Sequence, residues 1–223
     1  MNLPDDTQRI SIVGRTGSGK TLAAMWHLSN ADFDVKPWVI YDFKCDPSLA
    51  KIGALDGAVH IDTNFVPRRP GLYFVHPHPD DNDAVREHMW NIWRQENTGV
   101  YVDEGLMIGL YNPAFRSLLT QGRSKHIPMI ILSQRPAWLD RFVFSESDFF
   151  QVFQLNHSED RKKMMGYVPA NIAAPLPQYH SYYHDVSEAE TVVMKPVPPV
   201  EDTLQAIESK LQSMRQRKRR VSI

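Results

Sequence analysis

Cysteine is almost absent from this sequence, which contains the single thiol Cys45 in 223 residues. One cysteine cannot form a disulfide within the chain, so the disulfide framework of small secreted domains is excluded and a reducing compartment is expected. A membrane-spanning helix needs an apolar run of about 18 residues, and the sequence contains no such run. We therefore expect no membrane span of its own and a fold held together by a hydrophobic core.

A large net charge is missing as well, since the formal charge is −1. Bulk charge therefore gives no indication of a nucleic-acid partner. The positive charge is, however, concentrated near the C-terminus, where five of six residues are basic: Arg215, Arg217, Lys218, Arg219 and Arg220. Such a run is typical of a solvated tail, of a segment that binds DNA phosphates, or of one that docks on an acidic protein surface. All three interpretations stay open.

Short apolar segments alternate with segments of helical periodicity as far as about residue 165. This alternation predicts an α/β fold with a mostly parallel sheet flanked by helices. Strands are predicted over residues 9–13, 38–41, 72–75, 100–102, 128–132 and 149–155. We expect a core over residues 1–168, a proline-rich extension with a β-hairpin over 169–200, and a terminal helix with a basic end over 201–223.

Glycine is sparse, with 11 residues, but three of them fall in one short segment between a predicted strand and a predicted helix. The segment matches the phosphate-binding pattern G-x-x-x-x-G-K-[ST] in full. Its residues are Gly14, Arg15, Thr16, Gly17, Ser18, Gly19, Lys20 and Thr21. In such a loop the backbone amides surround the phosphates, the lysine reaches the β- and γ-phosphates, and the threonine hydroxyl is a Mg²⁺ ligand. The segment predicts binding of a nucleoside triphosphate.

Two adjacent carboxylates, Asp103 and Glu104, end the apolar strand at 100–102. A carboxylate in the position of Asp103 helps to hold Mg²⁺ in phosphate-loop enzymes. The second carboxylate, Glu104, is suited to act as the base that polarises an attacking water. The pair therefore predicts hydrolysis of ATP, although a strand can also end in two carboxylates that are merely solvated.

Three further polar residues are candidates for the same site. Gln134 follows the apolar run 128–132, and there it is expected to lie between the phosphate loop and Asp103, near the γ-phosphate or the water. Arg123 is the first candidate for an arginine that one subunit inserts into the site of its neighbour, and Arg161 is the second. Either arginine could instead be a surface residue or contact DNA.

The order of these motifs resembles the FtsK/HerA superfamily of DNA-pumping ATPases. The resemblance covers residues 9 to about 165 and includes Asp42-Phe43-Lys44, Gly122-Arg123 and Gln134-Arg135-Pro136. Relatives often have proline where this chain has Phe43. Because the chain is short, it looks like the genome-packaging ATPases of tailless bacteriophages with an internal membrane.

The resemblance carries several implications for fold, activity and partners. It implies a RecA-like sheet, an ATPase with ATP and Mg²⁺, a homo-hexameric ring around double-stranded DNA, and portal or vertex proteins as partners. The expected location is the virion packaging vertex and the host cytoplasm. It also implies the roles given above for Lys20, Thr21, Asp103, Glu104 and Gln134.

Other functions are compatible with a phosphate loop. A small nucleotide kinase would need an acceptor pocket and a lid with several arginines, and the adjacent Asp103 and Glu104 argue against it. Another DNA-pumping, conjugative or assembly ATPase of the same superfamily stays open. A GTP switch is disfavoured because the guanine-binding pattern Asn-Lys-x-Asp does not occur.

Overall fold

The protein is described by a computed structural model over residues 2–221, with side chains as far as residue 217. Nine strands form one sheet in the described chain. They are β1 (Arg9–Val13), β2 (Pro37–Tyr41), β3 (Val59–His60), β4 (Gly71–Val75), β5 (Gly99–Val102), β6 (Met129–Ser133), β7 (Phe149–Val152), β8 (Ser181–Asp185) and β9 (Glu190–Met194). The spatial order is β3-β4-β2-β5-β6-β1-β7-β8-β9.

Helices cover both faces of this sheet. They are α1 (Lys20–Asn30), α2 (Pro47–Gly53), α3 (Asn82–Gln95), α4 (Pro113–Gln121), α5 (Arg141–Ser145), α6 (Ser158–Met165) and α7 (Val200–Val221). Because side chains alternate along a strand, Ile10 and Ile12 of β1 pack in one buried cluster and Val13 packs in the other. The first cluster includes residues of α1, α2 and α7, and the second includes residues of α3 to α6. The predicted α/β layered fold is confirmed.

Neighbouring strands in the spatial order from β3 through β1 to β7 all pair in parallel, and β8 and β9 add an antiparallel edge. Strand β6 lies between β1 and β5, with Val13 opposite Ser133 and Val102 opposite Ile131. The carboxyl ends of β1, β5 and β6 therefore meet at one edge of the sheet. In parallel α/β sheets this edge is where ligands bind.

The hairpin and the terminal helix expected after residue 168 are present, and both join the core. Strand β8 pairs with β7, so the hairpin extends the same sheet. The inner face of α7 buries Ile207, Leu211 and Met214 against the cluster that includes α1 and α2. Within residues 2–221, no helix combines the length and the apolar character that a membrane crossing requires.

Candidate nucleotide-binding site

The phosphate loop occupies residues 14–19, between the end of β1 and the first residue of α1. Gly17 and Gly19 have φ angles of 74° and 101°, in the left-handed region that glycine tolerates best. Gly19 precedes α1 directly, and no side chain caps that helix. The first amide groups of α1 are therefore left for a ligand, and the helix dipole favours an anion there.

Lys20 is buried in this loop, and its ammonium group donates a hydrogen bond to the Arg15 carbonyl oxygen at 3.3 Å. Burial, together with the nearby charge of Lys44, lowers the pKa of Lys20 to about 8, although the charges of Glu104 and Asp103 oppose this shift. A buried cation that is so weakly compensated favours binding of an anion such as a phosphate.

Asp103 and Glu104 follow β5 and are both buried. Oδ1 of Asp103 and Oε1 of Glu104 have no hydrogen-bond partner among the described residues, whereas Oδ2 of Asp103 lies 3.2 Å from the ammonium group of Lys44. Burial raises the pKa of Asp103 to about 6, against the opposing effect of Lys44. Unsatisfied oxygens beside a phosphate loop are ligands of the kind that Mg²⁺ prefers, so the residues present fit that ion.

Lys44 is a site residue whose position the sequence did not indicate. Its ammonium group lies 3.2 Å from Oδ2 of Asp103 and 3.6 Å from Oε2 of Glu104. The signal that could have found it is its position just after β2, because β2 pairs with β5 in the sheet. The sequence does not show which strands are neighbours, so Lys44 was recognised only as part of a family motif.

Gln134 lies directly after β6 and next to the phosphate loop. Its Oε1 accepts a hydrogen bond from the Thr16 hydroxyl at 2.6 Å. The buried carboxylate of Asp160 in α6 anchors the following loop, since it accepts from Nε of Arg135 and from the backbone amide of Ala137, both at 2.9 Å. Gln134 therefore contacts the phosphate loop from a segment that hydrogen bonds to α6 hold in place.

The two candidate arginines differ in their surroundings. The side chain of Arg123 follows α4 and is 65% exposed, with Nη1 3.9 Å from Oδ1 of Asp148. Arg161 donates from Nη1 to the carbonyl oxygens of Leu155 and Asn156, at 2.9 and 2.7 Å. The Arg161 guanidinium is therefore hydrogen-bonded within its own chain, whereas the Arg123 side chain is largely exposed to solvent.

The basic end of α7 is partly engaged with the acidic body. Arg215 forms an ion pair with Asp56, and Nη1 of Arg217 lies 3.9 Å from Asp34. The side chains of Lys218, Arg219 and Arg220 lie outside the described residues. The two described arginines thus face carboxylates of the same chain.

A cleft of about 490 Å³ opens beside the phosphate loop. One side is formed by the loop and by Thr21 of α1, and the other includes Tyr179 and Val197 from the region after residue 168. The sequence contains no motif there, so this half of the cleft was not foreseen.

Comparison with known proteins identifies relatives of this chain. No protein-family model matches it. The DNA packaging ATPase P9 of Enterobacteria phage PRD1 is 49% identical over 215 residues, which are 92% of this chain and 93% of that protein.

Solved structures share the fold. The genome packaging NTPase B204 of Sulfolobus turreted icosahedral virus 2, in complex with ATP-gammaS, has a TM-score of 0.69 and 18% identity, over 87% of this chain and all of that chain. EssC (ATPases 2 and 3) from Geobacillus thermodenitrificans has a TM-score of 0.66 and 14% identity, over 97% of this chain and 45% of that chain. The resemblance seen in the motifs is confirmed, and the chain belongs to the family of the DNA packaging ATPase P9 of phage PRD1.

Proposed function

We propose that this protein hydrolyses ATP at the phosphate loop and uses the energy to move double-stranded DNA into a preformed viral capsid. The observation that carries the proposal is the convergence of Lys20, Glu104 and Gln134 at one sheet edge, after β1, β5 and β6. The 49% identical packaging ATPase of phage PRD1 supports DNA as the cargo and the capsid as the place of action.

Each residue of the loop has a role in binding the triphosphate. The amides of residues 14–19 surround the phosphates, and Lys20 exchanges its bond to the Arg15 carbonyl for the β- and γ-phosphates. Thr21 and Asp103 would hold Mg²⁺, which neutralises phosphate charge when it is bound. The buried Oδ1 of Asp103, which has no hydrogen-bond partner among the described residues, supports this assignment.

Glu104 and Gln134 act on the attacking water. Oε1 of Glu104 is buried and lacks a hydrogen-bond partner among the described residues, so it is available to accept a proton from water. Gln134 releases Thr16 and orients the water or the γ-phosphate. Hydrolysis then requires no phosphate acceptor other than water, in contrast to a nucleotide kinase.

A homo-hexameric ring at a packaging vertex, with portal proteins as partners, completes the proposal. The exposed side chain of Arg123 supports delivery of its charge to the site of a neighbouring subunit, where it would stabilise charge on the γ-phosphate. Arg161 is the second candidate, but it must first leave two carbonyl oxygens of its own chain.

The hydrolysis site is tested by measuring the release of inorganic phosphate from ATP, with and without double-stranded DNA and without any acceptor. We expect Glu104→Gln, which keeps the shape but removes the base, to lower kcat by about 100-fold or more. Lys20→Ala should abolish ATP binding as well as turnover. Glu159→Gln, at an exposed position of α6, is the control and should match the native chain. A Glu104→Gln variant with native turnover would contradict the assignment.

The role of Arg123 is tested by mixing two inactive variants. In a mixed ring, a Lys20→Ala subunit supplies an intact Arg123 to the intact phosphate loop of an Arg123→Ala subunit. We expect partial recovery of phosphate release in the mixture and none with either variant alone. Absence of recovery would place Arg123 in its own site or on the DNA.

A further inference from the structure

The cleft beside the phosphate loop extends from residues 17–22 to residues after 168. Its volume of about 490 Å³ is in the range of small-molecule sites, about 300–1,000 Å³. Beyond Lys20 and Thr21 its lining is largely apolar and includes Leu22, Phe153 and Tyr179. Much of this apolar wall comes from the region after residue 168, for which no role has been assigned so far.

The backbone at Tyr179 has a conformation that is unusual for its residue type. The His180 amide donates to the Pro177 carbonyl oxygen at 3.1 Å, which closes a tight turn with Tyr179 in its third position. Tyr179 has a φ of 61° there, where turns of this kind favour glycine or asparagine. Strained residues of this type concentrate at ligand sites.

The turn directs the Tyr179 ring to the phosphate loop. A Cβ atom placed on Gly19 would lie 3.2 Å from Cδ1 of Tyr179 and 3.6 Å from Cε1 of Phe153, so both rings border the start of α1. Tyr179 is nevertheless 49% exposed, and its hydroxyl forms no hydrogen bond within the described part of the chain. A large aromatic side chain is thus held at the mouth of the cleft with one side open.

We propose that Tyr179, together with Pro196, Val197 and Pro199, forms the wall against which the nucleobase of the bound nucleotide stacks. The proposal rests on the proposed function, because it assumes a triphosphate on the loop. An aromatic ring offers a stacking face to a base. Pro196 and Pro199, which line the cleft beside Val197, are apolar and have no backbone N–H that would have to be desolvated. The region after residue 168 is therefore part of the nucleotide site.

A Tyr179→Gly variant distinguishes a role of Tyr179 in binding the base from a role in stabilising the fold. Tyr179→Gly removes the ring, and glycine adopts the positive φ of this position without strain. If Tyr179 serves only the nucleotide, we therefore expect the variant to have nearly the unfolding temperature of the native chain. Ala189→Gly is the matched control, because Ala189 also has a positive φ, of 52°, in the turn between β8 and β9. Tyr179→Phe keeps the ring and removes only the hydroxyl.

The measurement is isothermal titration of each variant with ATPγS and with inorganic triphosphate, both with Mg²⁺. Because stacking on an aromatic residue contributes about 1–3 kcal/mol per base, we expect Tyr179→Gly to weaken ATPγS binding by about tenfold or more. Its affinity for triphosphate, which has no base, should stay within about twofold of the native value, since the phosphate contacts are intact. Tyr179→Phe and Ala189→Gly should bind both ligands as the native chain does.

Two outcomes would refute stacking of the nucleobase on Tyr179 without refuting the nucleotide site. One is a Tyr179→Gly variant that binds ATPγS as tightly as the native chain, and the other is an equal loss of affinity for ATPγS and triphosphate. If the native chain binds neither ligand, the nucleotide site itself is refuted and both proposals fail together. Lys20→Ala, which should lose both ligands, provides the reference for that pattern.

Discussion

At the scale of single residues, Lys44 balances the charge of two buried carboxylates. It pairs with Asp103 and Glu104, while a third of its own side chain remains exposed. Taking away one partner of a buried ion pair leaves charge that is poorly solvated. The stability of the nucleotide-free protein should therefore depend on Lys44.

We expect Lys44→Met to lower the free energy of unfolding by about 1–2 kcal/mol without ligand, a value reduced for its partial exposure. Lys51→Met, at an exposed position of α2, is the control and should have little effect. With saturating Mg²⁺ and ATPγS the difference between the two variants should shrink, because the bound ion supplies positive charge to the same carboxylates. Chemical denaturation with and without ligand measures both values, and equal stabilities without ligand would contradict this role.

At the scale of elements, α6 braces the loop that carries Gln134. The buried Asp160 receives hydrogen bonds from Arg135 and Ala137, and the Arg135 guanidinium lies 3.9 Å from the ring centre of Trp138. These contacts tie residues 135–138 to α6. The position of Gln134 at the phosphate loop depends on this arrangement, although Asp160 is remote in sequence.

We expect Asp160→Ala to lower kcat for ATP hydrolysis by about tenfold through misplacement of Gln134, with little change in KM. It should also lower the free energy of unfolding by about 2 kcal/mol, because Arg135 and the Ala137 amide lose their acceptor. Glu159→Ala removes an exposed carboxylate from the same first turn of α6 and controls for the helix dipole. If both variants have the same kcat, Asp160 does not position Gln134.

Most elements that surround the phosphates were predictable from the sequence. The first strand was predicted with the bounds observed, since a short apolar run next to a glycine-rich loop is a local signal. Helix α2 was missed, although Asp46 caps it and Pro47 is its first residue, because it has only seven residues. The predicted strand 149–155 ends at Val152, since the Arg15 amide bonds to the Gln154 carbonyl and the chain turns toward the phosphate loop.

Contacts between distant segments could not be predicted in the same way. Lys44 reaches the carboxylates only because β2 lies beside β5, and Tyr179 reaches Gly19 only because the hairpin adds to β7. Single-sequence patterns report local periodicity and not strand order. The family motif supplied the order for Gln134, whereas no motif extends over the region after residue 168.

At the scale of the whole molecule, two buried histidines make stability depend on pH. Nε2 of His27 donates to Oε1 of Gln151 at 2.9 Å, and Nδ1 of His88 lies 2.9 Å from the Tyr41 hydroxyl. Burial lowers the pKa of each to about 4. The unfolded chain therefore binds two protons between about pH 6.5 and pH 4 that the folded chain does not, so stability falls as the pH falls through this window.

Between pH 7 and pH 5 each histidine should lower the free energy of unfolding by about 2 kcal/mol. The folded-state pKa of Asp103 is raised to about 6, so protonation of Asp103 stabilises the folded chain as the pH falls. The net decrease in the free energy of unfolding is therefore smaller than the sum for the two histidines. His88→Phe should flatten the dependence, whatever its effect on stability at pH 7, because it removes one titrating group. Denaturation curves at several pH values test this expectation, and an unchanged slope would contradict it.

The central claim is that ATP hydrolysis at this site moves double-stranded DNA. The most direct measurement is displacement of a fluorescent third strand from a linear DNA duplex by the assembled protein, in the presence of Mg²⁺ and ATP. We expect displacement by the native chain that requires ATP and is lost in Glu104→Gln, which still binds ATP and DNA. Displacement by Glu104→Gln at the native rate, or ATP turnover by the native chain without any movement along DNA, would contradict it.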